Sequence, residues 1–207
     1  YLSELGLSPA GVGVAVTLTL VGSAGLTWAV QRPAERYGGR VALFGLAGLS
    51  AVAAGLLLAS REPWLVVVAA MLGNVAVGAG ETGPFLAIEQ VVVARALAPG
   101  RRTLGLSVYN LLGYVAAALG AAAVGTFPAY RPLFVVFLVG AAVQALAYAA
   151  LPGSPAPGRP AASGARPSAP TIRRLAALFA LDSFAGGFVL QALVALFLGV
   201  LPNVPDD

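Results

Sequence analysis

The 207 residues contain no cysteine, no histidine and no lysine. Without Cys and His there is no thiol redox chemistry, no thiolate or imidazole metal site and no histidine general base. Without Lys there is no P-loop lysine for a nucleotide phosphate and no amine for a Schiff base. No cofactor is expected, ATP hydrolysis by that route is excluded, and the chain is not expected to be an enzyme. The thin enzymatic alternative is an intramembrane pair of carboxylates such as Glu81 with Asp182. Charge is scarce as well, at 10% of residues against about a quarter in an ordinary soluble domain.

What replaces these residues is apolar, since 59% of the chain is hydrophobic. Six runs are long enough to cross a hydrocarbon core, which takes about 20 residues of helix: 11–30, 41–60, 64–94, 104–126, 133–151 and 175–201. Lipid cannot satisfy a free backbone N–H or C=O, so a spanning segment is a helix or part of a closed barrel. These runs are apolar all round and do not alternate with period two, which argues against a barrel. The expected fold class is all-α, a polytopic transmembrane helical bundle of six spans.

All twelve basic residues are arginine. Ten of them (Arg32, Arg36, Arg40, Arg95, Arg101, Arg102, Arg159, Arg166, Arg173 and Arg174) fall between spans one and two, three and four, or five and six. Arg61 and Arg131 alone fall in the other two connections. The positive-inside rule places the arginine-rich connections in the cytoplasm and both ends of this chain outside, in a multi-pass cell-membrane protein. The net charge of +4 then reports topology, and no nucleic-acid partner is expected. The opening "YLSELGLSP" has no charged n-region and the chain does not begin with Met, so the expectation is a fragment.

Composition divides the chain into a five-span bundle over 1–151, a linker over 152–174 and a last span within 175–207. The linker, "PGSPAPGRPAASGARPSAPTIRR", is rich in Pro, Gly, Ala and Ser and carries only positive charge. Polar residues are unevenly shared. The third span holds Asn74, Glu81, Thr82, Glu89 and Gln90; the sixth holds Asp182, Ser183 and Gln191; the fourth offers Ser107, Tyr109, Asn110 and Tyr114. The first carries Thr17, Thr19, Ser23 and Thr27, whereas the second and fifth have little beyond Ser50 and Gln144. From this division the third and sixth spans are expected to line an aqueous path and the second and fifth to face lipid. In the fourth span, Gly113, Ala117, Ala121 and Gly125 recur at i, i+4, a series read as helix packing.

Glu81 is the least comfortable residue in the sequence, lying within "GETGP" inside an apolar run. A carboxylate at the centre of a spanning helix costs about 2.5–3.5 kcal/mol even on lenient scales, so it normally faces a cavity or a partner. Pro84 has no N–H for the carbonyl of Gly80, and its ring crowds that turn, so a kink with a free carbonyl is expected beside Glu81 and Thr82. Asn74 lies about 20° from Glu81 on a helical wheel and extends the same face. Glu81 is expected to exchange a proton or to hold a cationic group of a solute, against the alternative of a protonated carboxyl bonded to a neighbouring helix. Asp182 is its counterpart in the sixth span, followed by Gly186–Gly187 as a possible bend. Asp182 and Gln191, nine residues apart, fall on opposite faces of a straight helix.

The block "AERYGGR", Ala34 to Arg40, lies between two spans with Gly25 upstream and resembles the motif joining the second and third helices of major facilitator superfamily transporters. Glu35 stands where the family usually has aspartate, and Gly39 where it has an arginine. Downstream, "GNVAVGAGETGPFLAIEQ" and "APGRRTLGLSVYNLLGYVAAALG" resemble the family's fourth and fifth helices. The resemblance implies that the six spans are helices two to seven of that fold and that 152–174 joins its two halves. It also implies a cytoplasmic loop motif of Glu35, Arg36, Gly38 and Arg40, with Glu89 latched to Arg36 and Arg40. The fourth span lacks the Gly-Pro pair usual in proton-coupled exporters of this kind, which argues against antiport.

The expected function is therefore secondary active transport. A small-molecule solute would cross the lipid bilayer by alternating access, coupled to a proton or another ion, along a path carrying Glu81, Asp182, Asn74, Thr82, Asn110 and Gln191. These 207 residues alone are expected to be inactive. The alternative is a non-transporting membrane scaffold or sensor whose buried carboxylates only pair helices.

Overall fold

The computed structural model describes residues 2, 5–73, 83–127, 129–151 and 169–187. All regular elements among them are helical: α1 (Pro9–Tyr37), α2 (Gly39–Ala59), α3 (Pro63–Leu72), α4 (Pro84–Ala96), a 3-10 turn (Pro99–Arg101), α5 (Arg102–Val124), α6 (Tyr130–Ala150) and α7 (Ala169–Gly187). The chain is an all-α bundle, and four of its described helices are long and apolar enough to cross a membrane. Contacts divide it into two units, Tyr1–Pro157 and Gly158–Asp207.

Helix α1 begins where the Ser8 hydroxyl accepts from the Gly11 N–H at 3.2 Å, which satisfies one of the free donors of the first turn. Its polar residues are largely satisfied within the helix. Thr17, Thr19 and Thr27 donate to the carbonyls of Gly13, Ala15 and Ser23 at 2.8–2.9 Å, so they need no aqueous partner. One residue, Gly38, ends α1 and starts α2. Its N–H donates to the Ala34 carbonyl, and its own carbonyl accepts from the Ala42 N–H. At φ 90° and ψ 158° it sits in a region that side-chain-bearing residues avoid at a cost of about 1–3 kcal/mol. Gly38→Ala is expected to lower stability by about that amount. Thermal unfolding in detergent checks this against Gly45→Ala, where an added Cβ meets nothing within 4 Å.

Helix α2 is the centre of the first unit, packing against α1, α3, α4 and α6, with α6 its most extensive partner. Ala42, Leu43, Leu46, Ala47, Ser50, Ala53, Ala54 and Leu57 are buried along it. Two clusters form around this face. One joins Ala42, Leu43, Leu46 and Ala47 to Ile88 of α4 and Tyr148 of α6, and the other joins Ala53 and Leu57 to Val66 and Ala69 of α3. Small residues bring the helices close. An added Cβ on Gly73 would lie 2.8 Å from the Ala53 Cβ, and one on Gly22 would lie 2.8 Å from the Met71 Cβ. Ser50 donates to the Gly73 carbonyl at 3.3 Å across the same contact.

Three expectations change here. The second span was expected to face lipid with the fifth, but α2 is the most buried of the described helices, whereas α6 packs along it and leaves Val135, Val136, Val139, Val143 and Leu146 exposed. Lipid tails and neighbouring helices are both apolar, so a lack of polar residues does not distinguish them. The small-residue series of α5 is not a packing seam among the described residues: α5 buries no residue, an added Cβ on Gly113 would meet nothing within 4 Å, and one on Gly125 would meet only the Ala122 carbonyl of its own helix. The third span is interrupted at Gly83 rather than continued through Pro84 as one kinked helix. Gly83 is extended (φ −88°, ψ 174°) and Pro84 opens α4, a position where its missing N–H costs nothing. Residues 74–82 lie outside the described residues.

In the second unit, helix starts at Ala169, so the last six residues of the expected linker are helical. Helix α7 carries Asp182 and runs through Gly186 to Gly187, where the described residues end.

Candidate functional site

Helix α4 turns two adjacent side chains to different neighbours. Ile88 enters the core against α2, while Glu89, about 100° further round, meets α5 and α6. The two carboxylate oxygens of Glu89 are taken by two phenols, Tyr109 donating to Oε2 and Tyr148 to Oε1. Gln144, one turn before Tyr148 on α6, donates its amide to the Tyr148 oxygen at 2.8 Å, so the Tyr148 proton points at the carboxylate. The Tyr148 ring lies against Phe85, with centroids 6.2 Å apart and planes at 21°. Because Phe85 and Glu89 are one turn apart, a single tyrosine spans both, with its ring on one and its hydroxyl on the other.

Beside this cluster, the Gln90 amide donates to the side-chain Oδ1 of Asn110 at 3.5 Å. Residues 89–90 of α4 are thus paired with residues 109–110 of α5. Asn110 also lines a groove of ≈ 320 Å³ with Leu86, Gly113, Tyr114 and Ala117.

The latch implied by the loop motif has different partners. Glu89 bonds to Tyr109 and Tyr148 rather than to Arg36 and Arg40. Arg40 instead donates to the Ala149 carbonyl at 2.5 Å, satisfying one of the free acceptors at the end of α6, and Arg36 lies over the Tyr37 ring at 5.4 Å. Glu35 lines a separate cavity of ≈ 350 Å³ between α1 and α4, with Gln31 and Arg95 at its polar end and Val30, Ile88 and Val92 as apolar wall. Gly38 is the junction described above.

Of the expected path residues, Asn110 is placed in the α4–α5 groove. Asn74, Glu81, Thr82 and Gln191 lie outside the described residues, as does the Gly80 carbonyl, and Asp182 is described as a backbone position of α7 only. Sequence reasoning missed Tyr148 and Gln144 as site residues and counted Tyr109 only as a polar residue of its span. One signal was present: Gln144 and Tyr148 stand at i, i+4 on a helix otherwise almost without polar groups.

No protein-family model and no solved structure matches the chain. An uncharacterized membrane protein of Saccharomyces cerevisiae is 27% identical over 129 residues, which is 61% of this chain and 28% of the yeast protein. The chain therefore spans under a third of the length of that relative. The apolar helices and this likeness agree on a membrane protein with transmembrane helices.

Proposed function

We propose that the chain is part of a secondary active transporter of the major facilitator kind, moving a small solute across the cell membrane by alternating access coupled to a proton or other ion gradient. Its arginine-rich connections face the cytoplasm. The observation that carries this reading is the divided third span. The span breaks at Gly83, which is extended, and α4 starts afresh at Pro84 with 13 residues, about 20 Å of helix against a hydrocarbon core of about 30 Å. Interrupted spans in transporters accompany solute and ion sites near the midplane, and in sequence Glu81 and Thr82 directly precede this break, with Asn74 further back.

The test is proton movement driven by solute. The complete protein is reconstituted in liposomes with a trapped pH-sensitive dye, and sugars, amino acids and organic cations are added one at a time across a pH gradient. One of them is expected to drive a proton flux that Glu81→Gln reduces at least tenfold. A second reading, a scaffold whose carboxylates only pair helices, is favoured by the full engagement of Glu89 with two tyrosines. It takes over if no solute moves protons and Glu81→Gln changes only the unfolding temperature.

A further inference from the structure

The hairpin of α4 and α5 is held at successive levels. Nearest the 3-10 turn, Leu97 fills the space that a side chain on Gly105 would take. About four residues further along α5, or 6 Å, come the paired contacts of Glu89 with Tyr109 and Gln90 with Asn110. Tyr109 and Asn110 also line a groove of ≈ 320 Å³ that extends from them away from Arg101, with Leu86 on one wall and Leu112, Gly113, Tyr114 and Ala117 on the other. The two pairs therefore lie at the base of the groove, on the side of the arginine-bearing turn.

The lining selects a chemical class. None of the described lining residues is charged. The nearest carboxylate, Glu89, lies behind the lining Tyr109 with both oxygens taken by tyrosines, so a solute with a full charge would lose water there without gaining a free counter-charge, which is costly in a membrane interior. The side-chain Oδ1 of Asn110 is already used by Gln90, so its side-chain amide N–H groups remain to donate to an oxygen acceptor. Leu86 and Ala117 add apolar wall, and Gly113 leaves room, since a Cβ there would meet nothing within 4 Å.

We propose that this groove is a water-accessible subsite for an uncharged, oxygen-bearing solute, and that the Glu89–Tyr109 and Gln90–Asn110 pairs form a floor closing it towards the arginine-bearing turn. The proposal rests on the transport reading and names its substrate class.

The absence of cysteine from the chain makes the test specific. Gly113→Cys and Ala117→Cys are introduced separately into the complete protein, with cysteines elsewhere replaced by serine, and Arg101→Cys marks the side of the turn. In sealed vesicles of either orientation each thiol is exposed to three methanethiosulfonates: impermeant sulfonatoethyl and trimethylammonioethyl reagents, and a neutral hydroxyethyl one. Both groove cysteines are expected to react with the charged reagents at least tenfold faster from the side opposite Arg101. Relative to a free thiol, the neutral reagent is expected to be favoured at least tenfold over both charged ones. Removing the floor by Tyr109→Phe with Gln90→Leu is expected to raise labelling from the Arg101 side at least tenfold. Protection of both cysteines from all three reagents, as on a lipid-facing helix, would overturn the proposal, as would equal labelling from the two sides or no preference for the neutral reagent. Labelling needs neither solute nor gradient, so asymmetric labelling without solute flux removes transport and leaves the subsite, while flux with protected cysteines removes the subsite alone.

Discussion

Replacing Glu89 by alanine is expected to loosen three helices at once and to cost about 3–5 kcal/mol, more than either tyrosine hydroxyl alone. The carboxylate gathers Tyr109 from α5 and Tyr148 from α6. A hydrogen bond to a charged group contributes about 1.5–3 kcal/mol, and a buried hydroxyl left without its acceptor costs about 1–3 kcal/mol more. Tyr148→Phe keeps the ring on Phe85 but leaves Glu89 Oε1 without one donor and the Gln144 amide without its acceptor, so it is expected to cost about 1.5–3 kcal/mol, less than losing both bonds at once. A double-mutant cycle on unfolding in detergent measures the difference. A coupling between Glu89 and Tyr148 below about 0.5 kcal/mol would mean that the contact holds nothing together.

Ala53→Leu is expected to have the other large effect, at about 2–4 kcal/mol or a loss of folded protein. Ala53 is fully buried where α2 meets α3, and its Cβ already stands 2.8 Å from where a Cβ on Gly73 would be. Added methylenes at a filled contact force side chains off their rotamers or push the helices apart. The same enlargement on the outer face of α2, Val52→Leu, starts from a side chain 57% exposed and is expected to be neutral. Equal unfolding temperatures for the two variants would show that α2 is not the centre of the bundle. The contrast also separates protein-facing from lipid-facing surface on a helix whose residues are apolar on both.

That distinction is where sequence reading stops. The apolar runs and the helical class were legible, because run length is a local property. The central place of α2 was not, since burial against a helix and burial against lipid select the same residues. The partners of Glu89 were not legible either. A charge rule pairs it with arginine, whereas the fold brings Tyr109 from 20 residues away and Tyr148 from 59. The division of the third span was half legible: Pro84 marked the place, but proline interrupts one helix as readily as it begins another.

The single-residue joint between α1 and α2 leaves no slack between them. The direction of one helix relative to the other is set by one pair of backbone angles, and Arg40, two residues past the joint, is bonded to the C-terminal end of α6. The ends of the α1, α2 and α6 helices are thus tied together within three residues of sequence, Gly38 to Arg40.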